Sequence, residues 1–504
     1  MKKRIRSLVI AAIALVVLVG LLIVLLLIPP AEDGNGQTGG STTGNTAATM
    51  APLIDKSNGS KTVIRSVTVQ NADETYTVSA DSTGVYRVEA YADLPVQTPM
   101  VDLLLGELDK ITPDAQVASS VSDPSLYGFD KATKVSVTYA DGTVYAFELG
   151  NDTPSGDGAY FRESGKDTVY RVSGSFALTI REPSVAYIGR KLVTTPIPRA
   201  DDPNGAAQLM RLELTGKREP LTVRFMRDTD SEALTLLNTY LIEEPYLTST
   251  DPNALSSWRS GFNNLTALTA VKAYPTAADL AEVGLDEPTT EAVLVLGVYT
   301  YQTDSAGVTT TEVYDSATYN FSFSEKNADG NYYCVLDGVD VLYEVAASDA
   351  AFVDATFEDI VYETLFLTNI STVKTITLSS PDKQSVFTLV HGEGRELTVT
   401  VDGQTVDSEN LRNLYGLLVS VDRYLGISEA DKDAFLIGFE QPSLTLTLTL
   451  ASGETETAAL YCGSSRSLAV LDDGRYFLVR ATQVDTLLRQ WDNLLAGKDV
   501  IEFF

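Results

Sequence analysis

Short runs of alternating apolar and polar residues fill most of the chain, broken by stretches in which apolar residues recur every three or four positions. The first pattern predicts half-buried strands and the second amphipathic helices. Residues 63–69, 76–78 and 85–88 read as strands, followed by a helical stripe of Val101, Leu104, Leu105, Leu108 and Ile111. Strands 135–139 and 144–149 come next, joined by the hairpin signal Asp141-Gly142. A closing hairpin of 159–161 with 169–172 and the trio Phe176, Leu178 and Ile180, read as the start of a terminal helix, end the series.

The same order then recurs. Residues 212–214 and 221–225 read as strands, and Asp251-Pro252 as the cap and first residue of a helix with the stripe Leu255, Trp258, Phe262, Leu265 and Leu268. Strands 292–299, 319–323, 332–336 and 342–345 follow, with a polar hairpin excursion over 301–311 and the turn Asp337-Gly338. The last series has strands 375–378, 386–390 and 397–401, then a helix capped by Ser408 with Leu411, Leu414, Leu418 and Val421 on one side. Strands 444–450, 468–471 and 476–479 lead to a final helix of Val484, Leu487, Leu488 and Trp491.

One punctuation mark divides each series. It is Leu126-Tyr127-Gly128-Phe129-Asp130, then Val283-Gly284-Leu285-Asp286-Glu287-Pro288, then Ile437-Gly438-Phe439-Glu440-Gln441-Pro442. Each follows a short acidic helical pattern, so the glycine reads as the left-handed residue just past a helix end, with Leu285 placed to fold back on Leu280. Successive marks lie about 155 residues apart, a domain length rather than a solenoid period. The predicted fold class is α+β: an N-terminal transmembrane helix followed by three tandem β-rich repeats, each an antiparallel sheet with a covering helix. The expected boundaries are 61–200, 201–368 and 369–504.

Ahead of them, residues 8–28 are uninterruptedly apolar, and about 21 residues at 1.5 Å each span a hydrocarbon core of about 30 Å. Lys2, Lys3, Arg4 and Arg6 make residues 1–7 a basic cytoplasmic tail, which sends everything after Pro29 outside the cell. The run is longer than a signal-peptide core and no small-x-small cleavage site follows, so an uncleaved anchor is expected. Residues 29–60, rich in Gly, Thr, Ser and Asn over most of their length, read as a flexible linker. The expected location is the cell membrane, single-pass, with the C-terminal region extracytoplasmic.

Charge and chemistry narrow the function classes. A net charge of -31 repels phosphate backbones and argues against a nucleic-acid partner; it reads first as a solubilising surface, with a basic or cationic partner as the sharper alternative. Cys334 and Cys462 have no zinc or redox spacing; they occupy different repeat positions, and a disulfide between the second and third repeats stays open. His391, the only histidine, stands after a strand in what reads as a solvated turn, so a histidine triad or multi-histidine metal site is unavailable within one chain.

Ser371-Thr372-Val373-Lys374 and Ser408-Glu409-Asn410 imitate elements of penicillin-binding enzymes, but Lys374 enters a β run rather than a helix. Glu325, Asn327, Asp329 and Gly330 imitate a calcium loop whose twelfth position is Leu336 instead of glutamate. Asp201-Asp202-Pro203-Asn204-Gly205 reads as a linker turn, with weak cation binding as its alternative. With 68 acidic residues, choosing two as a glycosidase pair is arbitrary. No catalytic, cofactor-binding or metal residue is assigned, and no cofactor is expected.

The anchor, the repeated glycine turn, Tyr139-Ala140-Asp141-Gly142, Leu149-Gly150-Asn151-Asp152-Thr153-Pro154 and Val169-Tyr170-Arg171-Val172 together resemble a bacterial membrane-anchored family, domain-of-unknown-function family 4340. The resemblance is closest in the first repeat and looser where Leu342-Tyr343-Glu344-Val345 and Leu460-Tyr461-Cys462-Gly463 stand in. It implies an extracytoplasmic protein, often encoded beside ABC-transporter subunits of the gliding-motility type, and it supplies no catalytic residues. The resulting expectation is a non-enzymatic accessory or scaffold subunit that meets the bilayer through residues 8–28 and a transporter permease or other membrane protein outside it. The alternative is an ectodomain that holds an extracellular ligand, a wall glycan or peptide; a carboxylate-dependent hydrolase comes third.

Overall fold

A computed structural model of the chain describes residues 50–57, 63–202, 205–230, 239–256, 258, 262, 265–303, 309–394 and 396–504. The predicted tail and span, residues 1–28, and most of the linker lie outside them. Among the described residues no helix is long and apolar enough to cross a membrane. The rest is dominated by three antiparallel sheets of eight, ten and eight strands.

In each sheet two runs of sequential strands stand back to back, joined through the first strand of each run. In the first sheet Ile64–Gln70 lies against Thr133–Tyr139, with Val67 opposite Val137. In the second, Ala206–Gly216 lies against Thr290–Thr303, with Leu212 opposite Leu294. In the third, Val373–Ser379 lies against Leu444–Leu450, with Ile376 opposite Leu448. Alternation explains these joins: side chains two apart share a face, and Leu444, Leu446 and Leu448 are all buried while Thr445 and Thr447 between them are not. Thr269–Ala273 and Val361–Tyr362 extend the two edges of the second sheet.

Helices cover the first and third sheets through apolar stripes. Thr98–Asp109 buries Val101, Leu104, Leu105 and Leu108, while Ile111 falls beyond it, paired with Ile54 in a two-stranded ribbon. Ser408–Val419 buries Leu411, Leu414 and Leu418. Its cap is Asp407 rather than Ser408, because the Asp407 carboxylate accepts from the Asn410 N–H at 2.8 Å and Ser408 is already helical. The trio at 176–180 lies within Gly174–Arg181, where helical spacing buries Phe176 and Ile180 but turns Leu178 to solvent. Leu268 is likewise exposed, whereas Leu255, Trp258, Phe262 and Leu265 join the second core.

The three punctuating glycines all have left-handed backbones, with φ of 76°, 76° and 98° at Gly128, Gly284 and Gly438. Past Ala277–Glu282, Gly284 N–H donates to Ala281 O and Leu285 N–H to Leu280 O, the paired bonds of a helix end closed by glycine, and Leu285 is buried. Before Gly128 the helical turn is only the 3₁₀ stretch Pro124–Tyr127. A Cβ at Gly128 would stand 2.3 Å from the Asn151 side chain, while at Gly284 and Gly438 it would meet open space. Glycine is therefore required at 128 for room as well as for conformation. Cys334 and Cys462 are both free, one sealed in the second core and the other half-buried on the third sheet, and burial pushes the Cys334 thiol far up.

Candidate functional site

The short apolar run Tyr240-Leu241-Ile242 is buried, and it fixes the strand Tyr240–Glu244 whose exit is the turn Pro245-Tyr246-Leu247. Opposite it, Thr356 caps the helical turn Phe357–Ile360: its N–H and hydroxyl donate to Asp359 Oδ2 at 2.9 and 2.7 Å, and Ile360 is fully buried beneath. The chain then forms the edge pairs Ser249 with Tyr362 and Thr250 with Val361 and passes into Glu363. Two backbone bonds lock this segment to the stretch after the Ser408–Val419 helix: Leu365 N–H to Val421 O at 3.1 Å and Arg423 N–H to Glu363 O at 2.7 Å.

That backbone register sets the side chains of Glu363 and Arg423 face to face. Arg423 Nη1 lies 2.5 Å from Glu363 Oε2, with the glutamate side chain fully buried and the arginine side chain 9% exposed. Tyr246 donates its hydroxyl to Glu363 Oε1 at 3.0 Å, and Arg475 Nη1 stands 3.6 Å from the same oxygen. The other guanidinium nitrogen of Arg423 pairs with Glu358, whose second oxygen accepts from the Gly426 N–H at 3.1 Å. A buried carboxylate and guanidinium are tolerated only when paired and hydrogen-bonded, and this pair is both. Burial works against the Arg423 cation, but Glu363 and Glu358 outweigh it and hold its pKa above the ordinary value. Burial chiefly, with help from Glu363, pushes the Tyr246 phenol up to about 12.

Beside this network lie two adjoining cavities that form one cleft, the first within the second sheet's region and the second between that region and the third. One, of about 860 Å³, is lined by Arg218, Glu219, Pro220, Glu244, Pro245 and Phe357 among others. The second, of about 970 Å³, adds Tyr246, Leu247, Leu425, Ile427, Arg475 and Tyr476. They meet at Pro245, Phe357 and Glu358, which line both. Arg218 is engaged by the backbone carbonyls of Val353 and Ala355, and its burial lowers its pKa. The Ser428 hydroxyl donates to Asp431 and accepts from the Asp431 N–H, capping Glu429–Leu436. The arrangement supplies apolar walls with fixed charges around them, the makings of a binding surface.

The motifs weighed in the sequence lie elsewhere. His391 is the last residue of the strand Gln384–His391 rather than part of the turn, because its backbone still pairs with Leu397; its Nε2 lies 2.9 Å from Val373 O. Ser371 sits in the 3₁₀ turn Ile370–Thr372 with Lys374 already on a strand, and Ser408 and Asn410 open a helix. Asn327 accepts from the Asp329 and Asn331 N–H groups at 3.0 Å each, which makes its segment a turn between strands. Asp202 receives the Thr300 hydroxyl at 3.4 Å, while Pro203 and Asn204 lie outside the described residues. Among the described residues no group of His, Cys, Asp or Glu is arranged to hold a metal ion.

The cleft itself was missed from sequence. The apolar run at 240–242 followed by Pro245 was the one local signal for its near wall, and nothing local links Glu363 to Arg423.

Comparison with known families fits this layout. The family model described as Domain of unknown function (DUF4340) matches residues 86–233 and again 241–436, well over half of the chain. The chain belongs to this family. No curated protein and no solved structure matches it. Both DUF4340 matches run across a boundary between sheets: the first includes residues 188–193, which enter the second core, and the second includes Glu363 and Arg423. The joins between sheets are thus part of what the DUF4340 model covers, although Arg475 and Tyr476 lie beyond it.

Proposed function

We propose that this chain is a membrane-anchored extracytoplasmic protein, held by residues 8–28 with its N-terminus in the cytoplasm, that acts as a non-enzymatic accessory or scaffold subunit of an ABC-transporter-type membrane complex. Three tandem repeats, at 61–200, 201–368 and 369–504, form its body; the shared strand order of the three sheets supports that division. The observation that carries the docking reading is the cleft that runs from the second sheet's region to its join with the third, where apolar walls stand open beside a fixed set of charges. Such a surface holds a partner in one register, since the Glu363, Glu358 and Arg423 pairs fix its centre and the apolar walls beside them remain to be covered.

The test is a photo-crosslinking amino acid at Leu247 in the full chain in its native membrane. Recovery of a permease subunit supports the reading; recovery of glycan or soluble peptide alone overturns it. That second outcome would favour the other reading, an ectodomain for a wall glycan or peptide, to which the aromatic rings of Tyr246, Phe357 and Tyr476 at the cleft lend support.

A further inference from the structure

The two cavities differ in charge. Around the first stand Glu219, Glu244, Asp354 and Glu358 against the single guanidinium of Arg218. Asp354 is neutralised by Lys326 at 2.5 Å and Glu358 by Arg423, but Glu219 and Glu244 have no ion-pair partner among the described residues. Glu244 has only the Thr222 hydroxyl, at 3.1 Å, and both side chains are exposed. Around the second cavity Arg423 and Arg475 offset Glu358 and Asp473, and the rest of the wall includes Tyr246, Leu247, Leu425 and Ile427. The first cavity therefore carries an excess of carboxylates within largely apolar walls, and the second sets apolar side chains among charges that are already paired.

We infer that the cleft takes an extended polypeptide segment of the partner carrying a lysine or arginine beside large apolar side chains, the basic group against Glu219 and Glu244 and the apolar ones over Leu247 and Leu425. This rests on the reading of the cleft as a docking surface. An extended segment fits because the cavities adjoin at Pro245 and Phe357, and alternate side chains of a strand stand roughly 7 Å apart on one side. A free anion is disfavoured by the charge of the first cavity and of the chain as a whole, and a small free amine leaves the second cavity's walls bare.

The experiment measures binding of a fluorescent peptide repeating Lys-Lys-Leu-Leu, in which each side of an extended strand carries lysine next to leucine, and of a Glu-Glu-Leu-Leu counterpart, to the detergent-solubilised full chain. The lysine peptide is expected to bind and the glutamate peptide not. The double variant E219Q/E244Q should weaken binding about tenfold, the effect of losing two exposed charge pairs. E393Q/E396Q, which removes the same charge from the hairpin after His391, should leave it unchanged. Equal weakening by the two double variants would reduce the effect to general surface charge and overturn the inference, as would equal binding of the two peptides or no binding of either. The crosslink at Leu247 separates this failure from that of the docking reading. A captured transporter subunit whose crosslinked stretch lacks basic residues leaves docking intact and removes only the cationic assignment.

Discussion

The first and second sheets are joined in one way and the second and third in another. At the first join, Leu94, Ile188, Leu192 and Val193 leave the first sheet's neighbourhood and are counted in the second core. Backbone bonds stitch them down: Leu192 N–H to Leu265 O at 2.9 Å, Ala267 N–H to Arg190 O at 2.8 Å and Gly189 N–H to Pro95 O at 2.7 Å. The buried Tyr343 hydroxyl closes the seam on Gly189 O at 3.1 Å. At the second join the centre is a buried glutamate and arginine, flanked by open cavities. An apolar seam gains by excluding water and seals itself, whereas a charged seam gains only in one geometry and leaves room around it. The contrast teaches why the open cleft lies at the second join: charge fixes the angle between the sheets there without filling the space.

The most forceful way to break the comparison is Glu363→Ala. It leaves the buried Arg423 guanidinium with only the half-exposed Glu358 as ionic partner, so the loss is expected at the lower end of the about 3–5 kcal/mol of a broken buried pair, read by chemical denaturation. Replacing both residues, Glu363→Leu with Arg423→Met, should recover most of that loss while changing the width of the cleft, because the charges position more than they stabilise. A single change at Arg423 that left stability untouched would mean the pair is not buried. The corresponding blow to the first join is Gly189→Val. A Cβ there would lie 2.8 Å from Pro95 Cβ, a ring atom with no freedom to swing away, so overpacking should remove about 1–3 kcal/mol without affecting peptide binding at the cleft.

How much of this was legible depended on whether the cause was local. Left-handed glycine is a local demand, and Gly128, Gly284 and Gly438 could be placed from their neighbours alone. So could the hairpin glycines Gly142 and Gly338, with φ of 84° and 80°. Strand alternation gave the buried faces, as at Leu444 to Leu450, but not which strand lies beside which. That Val373–Ser379 pairs with Leu444–Leu450 across the intervening helices is decided by the core they share. The polar half of the candidate site was the least legible. Glu363 and Arg423 are two of many charged residues in an acidic chain, and only the backbone bonds between residues 363–365 and 421–423 single them out. Composition told only that the surface is acidic, which solubility alone explains; the fold is what gathers Glu219 and Glu244 at one cavity.

The gentlest test sharpens the comparison through two tyrosines, one at each join. Tyr274 at the first and Tyr246 at the second are both raised to about 12, from an ordinary value of about 10. A raised phenol favours the folded state while neutral, so each contributes stability that is complete below about pH 10 and is lost as the pH climbs towards 12. The causes differ in order. For Tyr274 the leading one is its hydrogen bond to Asp93, with burial second; for Tyr246 burial leads and Glu363 follows. Phenolate absorbance, read as the difference between each background and its Tyr→Phe partner, should therefore respond unequally to loss of the acid. Asp93→Asn is expected to bring Tyr274 most of the way back to its ordinary value, whereas Glu363→Gln should leave Tyr246 still well above it. If Tyr246 instead dropped as far as Tyr274, the charge on Glu363 rather than enclosure would govern that side of the cleft, and the second join would be more open to water than its geometry implies.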